Sequence, residues 1–467
     1  MCGKMGATKG KRGHVLAVPF PAQGHVTPLL KFSRLIASHG VKLTFVNTHF
    51  IHNKLAAATN SHAPQLGVVL ASISDGLPDD DDRSDAFKLW ESLNSTMAGH
   101  LTELIEKINA SNCDEKISCI IADVTLEWIL ELARDFGAQS FGFTPASAAS
   151  LAMVLQIPNL IHQGNLDLNG TLKGIESVRL TDEIPAWRKD EFAWSFPIDL
   201  KTQKIMLECC LCGEKSARFR STWLLCNTFY ELESSACDLS PKLLPIGPLL
   251  DSQCRANCSS FYVEDTSCLR WLDEKAVASV IYVSFGSLAV LSHHQLQELA
   301  LGLELSGRPF LWVVRSNLTN DGSRVEYPEG FLGRVCSGGL GKIVEWAPQE
   351  RVLSHPSVGC FLSHCGWNST LEGLAAALPF LCWPYFADQY HNQSYVCDKW
   401  KIGLRIEQDE NGIRGRDEIK KKIEIVVGDD DIKANALRLK EMATMSVAQE
   451  GSSFLNFQRF IDHLIME

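Results

Sequence analysis

The chain has 467 residues, enough for two or three domains that each bury a core. Hydrophobic residues make up 45% of it and charged residues 21%, ordinary values for a globular protein. The formal net charge of −11 argues against a nucleic-acid or anionic-membrane partner, because a phosphate surface calls for a basic footprint.

The N-terminal MCGKMGATKGKRG is polar and basic, and the apolar run after it is too short for a signal core. No apolar run of about 18 residues follows anywhere, so no membrane span is predicted and a cytoplasmic location is expected. From residue 14, HVLAVPF reads as a strand and PAQGH as a turn. VTPLLKFSRLIASHG reads as a helix, with Pro28 near its start and Gly40 just past its end. With the strand KLTFVN this makes a right-handed βαβ unit. The alternation continues through GVVLASI, a helix over roughly residues 84–110, ISCIIAD, the helix TLEWILELARDFG and the strand SFGFT. The acidic run Asp79 to Asp82 follows Pro78 in a polar stretch and reads as a solvated loop, not a metal-binding DxD. The sixteen cysteines are scattered, and CCLC at Cys209 to Cys212 lacks a second CxxC or a nearby His pair for zinc, so reduced thiols are expected.

Residues 245–278 are irregular and rich in Pro, Ser and Cys, and read as a linker. A second series starts near Val280 with VIYVSFGS, the helix SHHQLQELALGLELSG, PFLWVVR, KIVEW, GCFLS and PFLCWP. At the end, Phe454, Phe457, Phe460, Ile461 and Ile465 recur at helical spacing. The predicted fold class is α/β, with two Rossmann-like doubly wound parallel-sheet domains facing a cleft. Residues 1–244 form the first, 279–450 the second, and 451–467 a helix packing back on the first. Sheets of this kind bind ligands beyond the carboxyl ends of their strands.

One stretch concentrates chemistry: FLSHCGWNSTLEGLAAALP, residues 361–379. A helix is expected to start at Asn368 or Ser369, both good N-cap types, and a helix start is a phosphate site. No Lys or Arg occurs between Val352 and Asp398, so a phosphate here would depend on backbone amides, Ser369, Asn368 and His364. The same span holds two carboxylates, Glu372 and Asp388, acceptors that suit sugar hydroxyls. On spacing alone, a capped helix with Trp367 in the core remains an equal alternative.

The flanks remove that balance. The run from Trp346 to Gln389 resembles the C-terminal signature of the plant secondary-product UDP-glycosyltransferases, which have the two-domain GT-B fold. Its Trp-x-Pro-Gln start, His-Cys-Gly-Trp-Asn-Ser centre, Glu372 and Asp-Gln end all sit at the family's spacing. GHVTPLL near the N-terminus and SFGS in the second half extend the resemblance over the chain. It implies that Trp346 stacks on uracil, while the Ala347 backbone and the Gln349 amide serve base and ribose and Glu372 accepts from ribose hydroxyls. It further implies that Ser287, His364, Asn368 and Ser369 hold the diphosphate and that Trp367, Asp388 and Gln389 face the donor sugar. The terminal Gln points to UDP-glucose as donor co-substrate, with no cofactor and no metal.

Transfer to a hydroxyl also needs a base. His25 opens a helix after the first strand, in a segment similar to the family's catalytic-His segment. Asp123, ending ISCIIAD, is its expected partner, fixing the tautomer and stabilising the imidazolium. Thr144, ending SFGFT, is placed to touch the donor sugar. One base and direct displacement predict inversion and a β-glucoside. The acceptor is expected to be a small lipophilic molecule bound by first-domain segments near Thr144 to Pro158 and Pro185 to Phe196, and the enzyme a monomer. Two rivals fare worse: a nicotinamide oxidoreductase lacks its G-x-G-x-x-G, and a non-catalytic sugar-nucleotide sensor would not need His25 and Asp123.

Overall fold

His14–Val18, five consecutive buried residues, form strand β1, covered on both faces as a parallel sheet between helix layers requires. The computed structural model describes residues 13–58, 67–78, 81, 83, 86–111, 116–195, 199–250, 262–316, 318–319 and 323–466. After β1 comes the helix Gln23–Ser38, then β2 (Lys42–Thr48), β3 (Val68–Ile73), β4 (Ile117–Asp123) and β5 (Gln139–Thr144). A small antiparallel hairpin, β6 (Ser177–Val178) and β7 (Trp187–Arg188), stands apart from the sheet, which β8 (Leu224–Cys226) and β9 (Leu243–Pro245) complete. The sheet is parallel throughout, in the order β3-β2-β1-β4-β5-β8-β9.

The second sheet repeats the plan with β10 (Val280–Ser284), β11 (Phe310–Val313), β12 (Gly341–Val344), β13 (Val358–Ser363), β14 (Phe380–Cys382) and β15 (Gly403–Arg405). Its order is β12-β11-β10-β13-β14-β15. Both sheets change winding direction beside their first strand, at β1/β4 and at β10/β13, where a crevice opens beyond the strand ends. His25 and Asp123 follow or end β1 and β4; Ser287 and His364 follow β10 and β13.

Several boundaries differ from expectation. The first helix begins at Gln23, so Pro28 lies inside it rather than at its start. The helix expected over 84–110 is two, Ala86–Ser95 and Met97–Ser111. The segment 245–278 includes the last residue of β9 and a helix, Ser267–Asp273, whose Cys268 and Leu272 are buried; residues 251–261 lie outside the described residues. Asp79, Asp80 and Asp82 also lie outside them, while Asp81 is ion-paired with Lys88.

The last helix, Ser452–Met466, returns to the first domain. Phe457, Phe460, Ile461 and Leu464 join its core, Phe460 meeting Phe141 edge-on at 5.1 Å, whereas Ile465 is exposed. Ser453 Oγ donates to the Gly247 carbonyl at 2.6 Å and Asn456 Nδ2 to Pro245 at 2.9 Å. No described helix is long and apolar enough to cross a membrane.

Candidate active site between the two sheets

Elements of both domains line one cavity of about 520 Å³. That size suits a bound small molecule. On the first-domain side His25, third residue of its helix, directs Nδ1 to Asp123 Oδ2 at 2.6 Å. Asp123 is fully buried, and its other oxygen accepts from Thr125 N at 3.0 Å and Thr125 Oγ1 at 2.7 Å. Burial opposes charge on both partners, yet their mutual attraction outweighs it. The His25 pKa is raised above its ordinary value, with a further push from Asp388, and that of Asp123 is lowered. The outcome is an imidazole of fixed tautomer whose Nε2 can take a proton.

The second-domain side is built around a helix N-terminus. The helix Trp367–Ala375 has Gly366 as its N-cap, so it starts ahead of the expected Asn368 or Ser369, and both lie in its first turn. The four leading N–H groups of a helix lack intrahelical partners. His364 is wedged between two glycines: a Cβ at Gly286 would fall 2.6 Å from its Nε2, and one at Gly366 2.5 Å. Gly286 also has φ of 68°, a conformation glycine adopts without strain. Burial, then the nearby Arg315, push the His364 pKa down to about 4, so it offers a ring N–H rather than a charge at neutral pH. Arg315, itself buried, donates from Nη1 to the Ser287 carbonyl at 2.8 Å and from Nη2 to that of Ala289, pinning the loop after β10.

At the far end, Trp346 stacks on Tyr262 with ring centroids 4.3 Å apart, and the buried Ala347 follows it. Gln349 accepts from the Tyr282 hydroxyl at 3.2 Å and donates to Ser369 Oγ at 2.9 Å and Glu372 Oε2 at 2.7 Å. Its amide therefore bridges two residues expected to meet ribose and phosphate. Asp388 accepts from Asn392 Nδ2 at 3.0 Å and is raised in pKa by burial. Gln389 Oε1 accepts from Tyr385 N at 2.8 Å and Phe386 N at 3.2 Å, which leaves its NH₂ end to meet the cavity. Thr144, buried at the end of β5, lines the cavity too. Among the described residues no group of three or more His, Cys, Asp or Glu is placed to share a metal ion.

One expectation holds in altered form and one is corrected. Trp367 lines the cavity, while its buried indole Nε1 donates to the Asn227 carbonyl at 2.7 Å and ties the two domains together. The aromatics of Pro185 to Phe196 were expected to wall the acceptor pocket. Instead Trp187 stacks on His391 of the second domain at 3.6 Å, and Trp194 stacks on Phe192 in the core; among the described residues of this segment only Ala193 lines the cavity, and Phe196 lies outside them. The first-domain end of the cavity, where the acceptor was expected, is walled by Phe20, Trp90, Leu151, Val154, Ile205 and Met206, joined by Cys209 and Cys210, the latter thiol pushed up to about 12 by burial.

Asn227, Lys31, Arg315 and Glu350 escaped the sequence reading. Asn227 follows β8, and its side chain donates to Asn368 Oδ1 at 3.2 Å and accepts from Leu249 N at 2.9 Å. The rule that singled out Asp123, a polar residue at the carboxyl end of a buried strand, would have found it. Lys31, buried on the first helix, is ion-paired with Glu350 of the second domain. The signal was a lone Lys inside the apolar run PLLKF.

Residues 248–445 match a family model described as UDP-glucoronosyl and UDP-glucosyl transferase, and residues 13–67 one described as the glycosyltransferase N-terminal domain. UDP-glycosyltransferase 83A1 of Arabidopsis thaliana is 41% identical over 462 residues, covering 97% of this chain and 96% of that protein. The (R)-mandelonitrile beta-glucosyltransferase of Prunus dulcis is 34% identical over 484 residues, covering 98% of each. The structure of Os79 from O. sativa in complex with UDP superposes with a TM-score of 0.81 at 29% identity, over 96% of this chain and 100% of that one. Two parallel sheets with a donor-type helix start facing a His–Asp pair, and relatives matched along their whole length, place the chain in the UDP-glycosyltransferase family, with the GT-B fold.

Proposed function

We propose that the chain is an inverting, metal-independent glucosyltransferase that moves glucose from UDP-glucose to a hydroxyl of a small lipophilic plant metabolite. The observation that carries this reading is the His25–Asp123 pair, 2.6 Å apart, at the rim of a cavity whose opposite wall is the helix start after β13. His25 takes the acceptor proton as the hydroxyl attacks the anomeric carbon from the face opposite the diphosphate, and Asp123 stabilises the imidazolium. The departing charge meets the first-turn amides of Trp367–Ala375, with Ser287, His364, Asn368 and Ser369 around it. Trp346 and Glu372 serve base and ribose.

Asp388 and the Gln389 NH₂, an acceptor beside a donor, suit adjacent equatorial hydroxyls of glucose. An axial 4-hydroxyl would leave one partner unpaired, at about 1–3 kcal/mol or roughly 5- to 150-fold in rate. Among the named relatives, the Prunus protein is a glucosyltransferase, which supports the same donor. The test is turnover of UDP-glucose, UDP-galactose, UDP-xylose and UDP-glucuronate with 4-nitrophenol, cinnamyl alcohol and quercetin, in EDTA, with the anomeric configuration of the product read by NMR. A β-glucoside formed in chelator with UDP-glucose as best donor is expected. An α-product, a requirement for added Mg²⁺ or Mn²⁺, or a clear preference for another donor contradicts the corresponding part.

A further inference from the structure

We infer that Lys31 is a positioning residue for the transfer: together with Glu350 it holds the helix of His25 against the donor domain and so sets the base at its working distance from the sugar. The inference rests on the transferase reading above.

The helix Gln23–Ser38 touches the second domain on both sides of His25. The first contact follows from a proline. Pro28 has no N–H, so the Gly24 carbonyl, four residues earlier, loses its intrahelical donor. Asn368 Nδ2 supplies a replacement from the second domain at 2.7 Å, and Asn368 is itself held by Asn227 at 3.2 Å. The second contact is Lys31, whose side chain is 4% exposed and whose ammonium pairs with Glu350 and stands 3.9 Å from Glu372 Oε1. Positions 24 and 31 are seven residues apart, hence on one face and roughly 10 Å distant along the axis. A helix held at one point pivots about it. Held at two, its axis is fixed, and His25 between them is fixed with it.

Placement at that scale matters for chemistry, since an error of about 1 Å in a reacting group can cost roughly 10²-fold. A buried ion pair adds little net stability, but losing one partner leaves the other charge stranded, so the pair defines geometry more than it adds strength. Its location also ties it to the donor. Glu372, expected at the ribose, is the second carboxylate near the Lys31 ammonium, so the donor site and the first-domain helix come together there. Lys31 holds no reacting atom; it acts through the helix.

The test compares Lys31→Met, Lys31→Arg and Glu350→Gln with the wild-type chain, using UDP-glucose and whichever of 4-nitrophenol, cinnamyl alcohol and quercetin turns over fastest. Lys31→Met is expected to lower kcat by about tenfold or more. UDP affinity by calorimetry should stay within about threefold, and the pH at which activity rises should not move, because Asp123 still faces His25. Lys31→Arg should recover most of kcat, and Glu350→Gln should lose it. A Lys31→Met enzyme with wild-type kcat, or one whose loss lies wholly in UDP affinity, overturns the inference. Should Lys31→Met fail to fold, Glu350→Gln removes the same contact from the other domain, and wild-type kcat there overturns it equally. A wild-type chain that makes no glucoside at all removes the transferase reading itself, a distinguishable result.

Discussion

At the scale of single residues, His25 and Asp123 behave as one unit. A base must be neutral to accept a proton, and the Asp123 carboxylate raises the pH at which His25 becomes neutral. Activity should therefore climb with pH through a value above 6.5 and be lost below it. Asp123→Asn takes away the negative charge and the fixed tautomer, so the plateau of kcat/KM should fall and its acidic limb should move to lower pH. A limb that stays in place in the variant means another group is titrating. Both residues were legible because GHVTPLL resembles the family's catalytic-His segment and because polar side chains at the ends of apolar strands of an α/β sheet face the ligand crevice. For Lys31 the apolar run PLLKF hinted at burial, but not at a role in the site, which depends on its partner Glu350 on the other domain.

Among elements, the turn from β13 into Trp367–Ala375 concentrates the most constraint. Cys365 adopts a φ of 63°, unusual without glycine, and Gly366 leaves room for the His364 ring. Gly366→Ala forces a Cβ to 2.5 Å from His364 Nε2, and relief of such overpacking costs about 1–3 kcal/mol. Thermal stability should fall accordingly, and UDP affinity by calorimetry should fall as well, because the displaced His364 and first turn no longer converge on the diphosphate. Unchanged UDP affinity would mean that this turn is not the diphosphate site. The sequence showed that a helix starts here, but not at which residue, since Gly366, Asn368 and Ser369 are all acceptable caps and only the backbone decides. For the hairpin β6–β7 and the aromatics near it, neither helical nor alternating periodicity marks the segment. Its tryptophans are buried by contacts such as Trp187 on His391, 204 residues apart (391 − 187), which no local pattern encodes.

For the molecule as a whole, two sheets wound alike set their switch points on one cavity, and the proposed mechanism divides the work between them: proton transfer on the first, donor binding on the second. That plan was legible because buried parallel strands are short apolar runs separated by helices, so their order survives in the sequence even where boundaries shift. How the domains meet was not, since the Asn227–Asn368–Gly24 chain and the Lys31–Glu350 pair join residues from opposite halves. The division of labour makes a sharp demand on His25→Ala, assayed for glucosyl transfer and for UDP binding on the same preparation. Turnover should drop roughly 10²–10⁴-fold, the usual worth of a general base, while the UDP dissociation constant stays within about threefold. Near wild-type turnover, or loss of UDP binding in step with activity, would contradict the assignment of base and donor to separate domains.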